Sequence, residues 1–573
     1  MKTWIRRSRQ NASALLVVMV LAAASLLILA STMQWTSTTA NLNDRAVRHS
    51  IAVAAAEAAT EKVIAELATD FAKQGAAVVH GKVPTYKSRV PKGSENAHWN
   101  KFKFSNGKKQ DNEVAVDVVA AWADGTPLIS QYKGLKGYAA TYRITANALD
   151  LDAAVKLSGT VQQDVQLALI PIFQFAIFYN LDMEVNPGAQ MTIGGRTHGN
   201  AQIYLQPSAK LTFSGDVTSA GEIIPDKKPG DPSVRSGGSV SFKSDHDSGV
   251  MTLQIPIGAA NTPDELRKIV EIPPNNESVN TEMGKQRFYN NADLVIVVND
   301  SSVDVRGGGV GNGNGPNLKW DSVSNFVSTT KSFYDKREGK TMKVTEIDVK
   351  KLNTWNATTN NALKNALKRD ITSVYVADQR TTSSTTATAI RLINGDTLPP
   401  SGLTVATPNP LYVQGHYNAS GTAVGSSNTA TTKPAALIAD AINILSGAWS
   451  DGNSSKSLGN RNASDTTVNA AFLAGIVETG NNHYSGGVEN FPRFLENWSG
   501  KTLTYNGSMV VLFQSKQATA PWLGTGTAYD IYNPPNRNWY FDSNFLDPNK
   551  LPPLSPSVRA VIRGKWTALA PNT

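Results

Sequence analysis

The residues able to do chemistry are few and scattered. The chain holds no cysteine and only seven histidines: His49, His80, His98, His198, His246, His416 and His483. Disulfides, thiolate metal sites and cysteine nucleophiles are therefore excluded. No HExxH, no helically spaced histidine pair and no Gly-x-Ser-x-Gly elbow occurs, which removes the commonest zinc-hydrolase and α/β-hydrolase signals. Arg196-Thr197-His198-Gly199-Asn200 is the most site-like cluster, with a polar turn as its plainer reading. Asp245-His246-Asp247-Ser248-Gly249 has closely spaced carboxylates and a glycine, as a hard cation needs. It lacks a third acidic ligand and a distant glutamate, so a surface turn is expected. Gly307–Gly315 meets a dinucleotide glycine spacing, but no helix start and no phosphate-binding lysine follow it, which reads as a loop. No catalytic residue, metal ligand or cofactor site is expected.

Aromatic residues are the exception to this sparseness. Residues 484–545 carry 13 of the chain's 44 Phe, Trp and Tyr residues. Aromatic faces stack on sugars and dominate binding surfaces, so Trp522, Trp539 and Tyr540 form the candidate ligand surface, a surface glycan being the implied partner. The competing reading is that these rings pack a terminal element onto a core.

The whole chain has 573 residues, 40% hydrophobic and 18% charged, against roughly 25% charged for an ordinary soluble domain. Ser, Thr, Asn and Gly fill the difference, as suits turns and short strands. The net charge is +9, yet Lys2, Arg6, Arg7 and Arg9 alone supply +4. No basic cluster coincides with a nucleic-acid motif, so nucleic acid is not an expected partner.

Those four basic residues precede a run without charge from Gln10 to Asn43. Within it Ala12–Met33 is apolar apart from Ser13, Ser25, Ser31 and Thr32. As a helix these residues span ~33 Å, enough to cross a ~30 Å hydrocarbon core. The positive-inside rule puts the N-terminus in the cytoplasm and the bulk of the chain outside. Ala22-Ala23-Ala24 offers a signal-peptidase site, but Leu26–Leu29 continue the apolar run beyond it, so a retained single-pass anchor is expected. Leu42–Phe71 is rich in Ala, Glu, Lys and Leu and free of Gly and Pro, and its apolar Val53, Ile64, Leu67 and Phe71 imply an amphipathic helix ending near Gly75.

Ser13–Val20, Asp44-Arg45 and Ala54-Ala55-Ala56-Glu57-Ala58-Ala59 resemble the N-terminal domain of PilX-type minor pilins, and are similar to the K-type pseudopilins of type II secretion. The resemblance covers residues 8–70. It implies an inner-membrane anchor, other pilin-like or secretion-apparatus subunits as partners, and a place in a type IV pilus-like or secretion-related assembly. Ala12 stands where such prepilins carry the glycine before the cleavage site, and Val17 where many carry a glutamate. An uncleaved or minimally trimmed N-terminus follows.

Beyond the helix the expected organisation is a connecting β-rich region at 76–180 and an exodomain at 181–573. Residues 76–135 show no clear periodicity, while Ala140–Thr145 and Ser158–Ile170 alternate as strands do. Glu184–Asn200 laid on Tyr204–Ala220 at an offset of 20 aligns Pro187/Pro207, Ala189/Ala209, Thr192/Thr212 and Gly195/Gly215. Apolar Val185/Leu205, Met191/Leu211 and Ile193/Phe213 align as well. Turn and apolar residues recurring at one period are the mark of stacked coils.

Further strands are expected at Val240–Phe242, Leu294–Val298, Val303–Val305, Val374–Val376, Leu411–Val413 and Ser508–Phe513. Helices are expected at Pro263–Val270, Asp321–Lys336, Asp348–Lys368 and Ala435–Trp449. The fold class is thus mainly β with helices: a long membrane and stalk helix followed by a β-solenoid resembling a right-handed parallel β-helix. Tyr484–Trp498, Pro410–Asn418 and Pro534–Phe541 resemble a bacterial region of unassigned chemistry that follows PilX-like N-termini. The expected function is surface display or adhesion by an envelope-anchored structural component. The alternative is a polysaccharide-acting or carbohydrate-binding β-helix protein, whose acidic and basic side chains must converge on one groove.

Overall fold

The computed structural model describes residues 11–108, 110–153, 155–308, 316–358, 361–480 and 483–569. The chain divides into two compact units: residues 1–122, 140–166 and 561–573, and residues 123–139 and 167–560. These borders cut the chain elsewhere than at 75 and 180. The second unit is inserted in sequence between strands of the first.

The first unit is built on one helical run, α1 (Asn11–Tyr86), interrupted by a non-helical Gly75 at φ 77° and ψ −174°. A left-handed φ favours glycine, so the helix breaks where the sequence places it, but it resumes and ends eleven residues later at Tyr86. The segment after Gly75 is therefore no aperiodic connector: Val79 and Tyr86 are buried. Tyr86 donates to Asp70 at 2.8 Å, and Lys82 pairs with the same carboxylate at 3.1 Å.

Two different surfaces occupy the halves of α1. From Ser13 to Val47 every side chain is exposed, including Leu15, Leu16, Leu21, Leu26 and Leu29. This stretch is long and apolar enough to cross a membrane. From Ala52 onward a stripe of Ala52, Ala55, Ala56, Ala59, Val63, Leu67 and Phe71 is buried, at the i, i+3, i+4, i+7 spacing of a packed helix face. It packs with an antiparallel sheet. Strands β1 (Phe102–Ser105), β2 (Ala115–Pro127), β3 (Lys136–Asp150) and β4 (Leu157–Pro171) combine with the C-terminal strand Ser557–Leu569. Their order is β1-β3-β4-C-terminal strand, with β2 also paired to β3. Small alanines let the backbones approach, and Gly159 of β4 lies against Ala52 and Val53.

The second unit is dominated by short parallel strands. Met191–Ile193, Lys210–Phe213 and Ser239–Phe242 form one stack. Met183–Glu184, Ile203–Tyr204 and Ile223–Ile224 form another. Met191 pairs with Leu211, Ile193 with Phe213, and Thr197 with Val217, the 20-residue offset read from the sequence. Val185, Met191, Ile193, Leu205, Leu211 and Phe213 are all buried in one core.

The largest sheet has twelve strands and an order that departs from the sequence. From one edge it runs His246–Ser248, Val217–Ser219, Thr197–Gly199 and Ile177–Tyr179. It continues with Met509–Gln514, Ala471–Ile476, Ala435–Ala439, Leu403–Ala406, Ser373–Asp378 and Leu294–Val298. These ten are parallel, and the antiparallel strands Val303–Gly307 and Asn317–Leu318 end the row. The early passes thus continue the late ones across a seam where Met509 pairs with Ile177 and Val511 with Tyr179. Residues 251–293 carry the chain back between the two ends of the row. In this segment the helix Pro263–Arg267 is capped by Thr262, and Arg267 reaches Asp440 at 2.6 Å.

Two expected helices are strands. Ala435–Trp449 contains Ala435–Ala439 and Ile442–Leu445, with every residue from 435 to 446 buried. A segment buried on both faces is apolar throughout, so its periodicity does not distinguish helix from parallel strand. Asp321–Lys336 holds Val327–Asp335, one arm of a hairpin with Lys340–Asp348. The helix Pro263–Arg267 and the pair Val349–Ala357 and Ala362–Leu367 lie where helices are expected.

Candidate functional site

His198 sits in the middle of its stack, fully buried against the clustered rings of Phe175 and Phe178. Its Nδ1 is 2.8 Å from Thr218 Oγ1 and its Nε2 is 3.0 Å from Asn200 Oδ1. A neutral ring protonated on Nε2 satisfies both. Burial pulls its pKa down to about 4. Asn200 also donates to Asn180 at 3.0 Å and to the Leu253 carbonyl at 2.7 Å. Arg196 is held by Asp216 at 2.6 Å and by the Gln131 carbonyl at 2.7 Å. The cluster is an internal rung that joins successive passes of the chain.

Asp245–Gly249 forms the exposed edge strand His246–Ser248, with the His246 ring stacked on Phe242 at 4.2 Å. Among the described residues no group of three or more His, Asp or Glu is arranged to hold a metal. Gly307 closes the strand Val303–Gly307, while Gly309–Gly315 lie outside the described residues.

The three aromatic candidates occupy different settings. Trp522 lies edge-on to Tyr484 at 5.5 Å and donates to Tyr532 at 2.9 Å. In the strand Asn536–Phe541 exposure alternates, so Trp539 and Tyr540 point to opposite sides. Trp539 faces Tyr505 at 6.1 Å beneath Arg537, and with Ile177, Met191, Ile193 and Met509 it lines an apolar cleft near the seam. Tyr540 is 46% exposed. Tyr540 lines the same cleft as Trp539, and Trp522 does not.

The seam also holds two buried carboxyls that sequence reasoning missed. Glu184 accepts hydrogen bonds from Thr479 at 2.6 Å and from Ser485 at 2.8 Å. Glu489 accepts from Tyr484 at 3.1 Å and from the Asn186 amide at 3.3 Å. Burial raises both pKa values, that of Glu489 to about 7. These bonds tie Thr479, Ser485 and Glu489 of a late pass to Glu184 and Asn186 of an early one.

A polar groove opens elsewhere, on the sheet that contains Lys340–Asp348, Thr386–Ile393 and Leu411–Gln414. Here Glu346 pairs in register with Arg391, and the inward Ile347, Leu392 and Val413 alternate with them in the core. Arg391 reaches Glu346 at 2.8 Å and grips Asp451 through two nitrogens at 2.6 and 3.0 Å. The Trp449 indole donates to Asp451 at 2.9 Å. Lys331, Asn394, Asp396, Gln414 and His416 complete the walls of a groove of about 440 Å³. Glu346 and Asp451 are 105 residues apart in sequence, and no local motif joins them. No strand is expected from the sequence at either Glu346 or Arg391.

No known protein family matches the chain, and no characterised protein matches it in sequence. Among solved structures, the competence-associated pilin ComZ from Thermus thermophilus is similar at 10% identity and a TM-score of 0.28. The match covers 81% of this chain and 89% of that one.

Proposed function

We propose that this chain is an envelope-anchored structural subunit of a type IV pilus-like or secretion-related assembly, and that its inserted unit is a β-solenoid serving surface display or adhesion. The observation that carries the reading is the division of α1. A wholly exposed apolar half, Ser13–Val47, continues into a half whose alanine stripe packs on an antiparallel sheet. An exposed apolar helix needs a membrane or neighbouring helices to cover it. The PilX-type and K-type resemblance of residues 8–70 supplies both, an inner membrane first and a bundle of like helices later. The solenoid reading rests on parallel strands that stack at a 20-residue offset.

In this reading the chain performs no turnover. Glu346 and Asp451, the groove's closely placed carboxylates, share Arg391 as counter-ion. A hydrolase of this type needs a pair of carboxyls free to reach the scissile bond, and both of these are hydrogen-bonded to one guanidinium.

The test uses the absence of cysteine. Leu21→Cys places one thiol on the exposed apolar helix, and a heterobifunctional maleimide–benzophenone reagent, whose photoreactive end inserts into neighbouring C–H bonds, is applied to sheared surface filaments. The reading predicts cross-links to other subunits in the filament fraction. A chain that is never found there and never cross-links would remove the assembly role.

A further inference from the structure

We infer that the groove over Arg391 is a binding site for a neutral oligosaccharide. Its floor is built and fixed. Arg391 is only 3% exposed and is clamped by Glu346 and Asp451, while the Trp449 indole holds Asp451 from the other side. Phe333 supports this floor from beneath, edge-on to Trp449 at 5.5 Å and to Tyr412 at 4.9 Å. A ligand therefore meets a surface that needs no reorganisation, which lowers the cost of binding.

The walls are open, and they alternate donors with acceptors. Lys331 is exposed and has no partner among the described residues. Asn394 presents an amide fixed by Asp348 at 2.9 Å, and Gln414 one turned to the Trp449 carbonyl at 3.4 Å. The backbone amide of Thr467 donates to His416 Nδ1 at 3.1 Å. That bond fixes the neutral tautomer with its hydrogen on Nε2. Asp396 is exposed, and among the described residues its one hydrogen bond is with its neighbour Thr397, at 3.4 Å. Interleaved amide, imidazole and carboxylate groups suit a ligand whose every hydroxyl both gives and accepts a hydrogen bond.

Charge selects among such ligands. Three carboxylates, Glu346, Asp396 and Asp451, face two cations, Lys331 and Arg391. The groove therefore lacks the positive field that a nucleic acid or another polyanion requires. Its volume, about 440 Å³, lies within the ~300–1,000 Å³ range of small-ligand clefts, enough for one or two sugar rings at a time. The site is separate from Trp522, Trp539 and Tyr540, and it extends the display role without depending on the anchor.

The test is calorimetric titration of the detergent-solubilised full chain with cellopentaose, chitopentaose and mannopentaose, and with a 20-base single-stranded DNA. We expect saturable binding of at least one sugar and none of DNA. Lys331→Ala and Asp396→Ala, at exposed wall positions, should each weaken that binding about tenfold while the melting temperature stays unchanged. Tyr540→Ala, on another face, should leave it intact. Three outcomes overturn the assignment: no sugar binds, both wall variants bind as tightly as the parent, or DNA binds and the wall variants reduce it. None of these results bears on membrane fractionation, so failure here is distinguishable from failure of the anchor.

Discussion

Gly159 of β4 lies directly against the Val53 amide of α1, with no room between them for a side chain. This contact sets how closely the helix settles on its sheet, because the residues around it on α1 are alanines. A Cβ at 159 would run into main chain, and main chain cannot swing aside as a flexible side chain can.

Gly159→Val should therefore destabilise the first unit by about 1–3 kcal/mol, the usual range for overpacking. The measurement is thermal unfolding of the full chain in detergent. Gly188→Ala is the control, since nothing lies within 4 Å of the added methyl. Equal melting temperatures for the two variants would deny that the helix and sheet meet at Gly159.

The 20-residue stack makes a second prediction. Leu211 is fully buried and paired with Met191, whereas Thr192 one residue along is exposed. Leu211→Ala should lose about 2–5 kcal/mol, and Thr192→Ala should change stability by no more than ~0.5 kcal/mol. Denaturant unfolding resolves the difference. Similar losses at both positions would contradict the alternation.

Two ion pairs of similar length should behave differently. Arg267 and Asp440 are 2% and 0% exposed, and Asp440 also accepts the amides of Lys516, Gln517 and Ala518. Asp440→Ala leaves a buried guanidinium with only the more distant Glu271, at 3.4 Å, as counter-ion, and a loss of about 3–5 kcal/mol is expected. Arg563 and Glu61, 60% and 36% exposed, make a bidentate pair across 502 residues of sequence. Arg563→Ala should lose less than ~1 kcal/mol. Comparable losses would mean that Asp440 is more solvated than its surroundings indicate.

The seam gives a pH dependence of definite sign. Burial raises the Glu489 carboxyl to about 7, above its unfolded value of about 4.3. Its contribution is complete below the unfolded value and is lost as pH rises through about 7. Stability should thus decline between pH 5 and 8, and Glu489→Gln should flatten that decline by about 2–3 kcal/mol at most. His198, lowered to about 4 by burial, acts oppositely: its contribution is present above its usual value and is lost as pH falls toward 4. A Glu489→Gln profile parallel to the parent across pH 5–8 would show that this carboxyl stays ionised in the fold.

Legibility in the sequence followed the distance over which each feature is encoded. Gly75 interrupts the helix because one left-handed residue suffices, and Met191 pairs with Leu211 because turn and apolar residues recur at one spacing. The seam between Met509 and Ile177 was invisible, since nothing local states that an early pass continues a late one. The strands in Ala435–Leu445 read as helix because burial on both faces erased their period of two. Trp539 and Tyr540 line one cleft although their exposure alternates along the strand, and Trp522 lies outside it because a separate segment carries it. The groove residues Glu346, Arg391 and Asp451 come from separate passes, and only the tertiary stacking brings them together.

The central claim is that the exposed apolar half of α1 holds this chain in a membrane with its bulk outside the cytoplasm. Because the chain has no cysteine, Ser8→Cys and Asn43→Cys report the two sides of that helix without background. The decisive measurement is reaction of each with a membrane-impermeant maleimide in intact spheroplasts, followed by alkaline carbonate extraction of the membranes. The account predicts that both variants stay in the membrane pellet, that Asn43→Cys is labelled in intact spheroplasts, and that Ser8→Cys is labelled only after permeabilisation. Release of the chain into the carbonate supernatant, or equal labelling of both positions before permeabilisation, would contradict it.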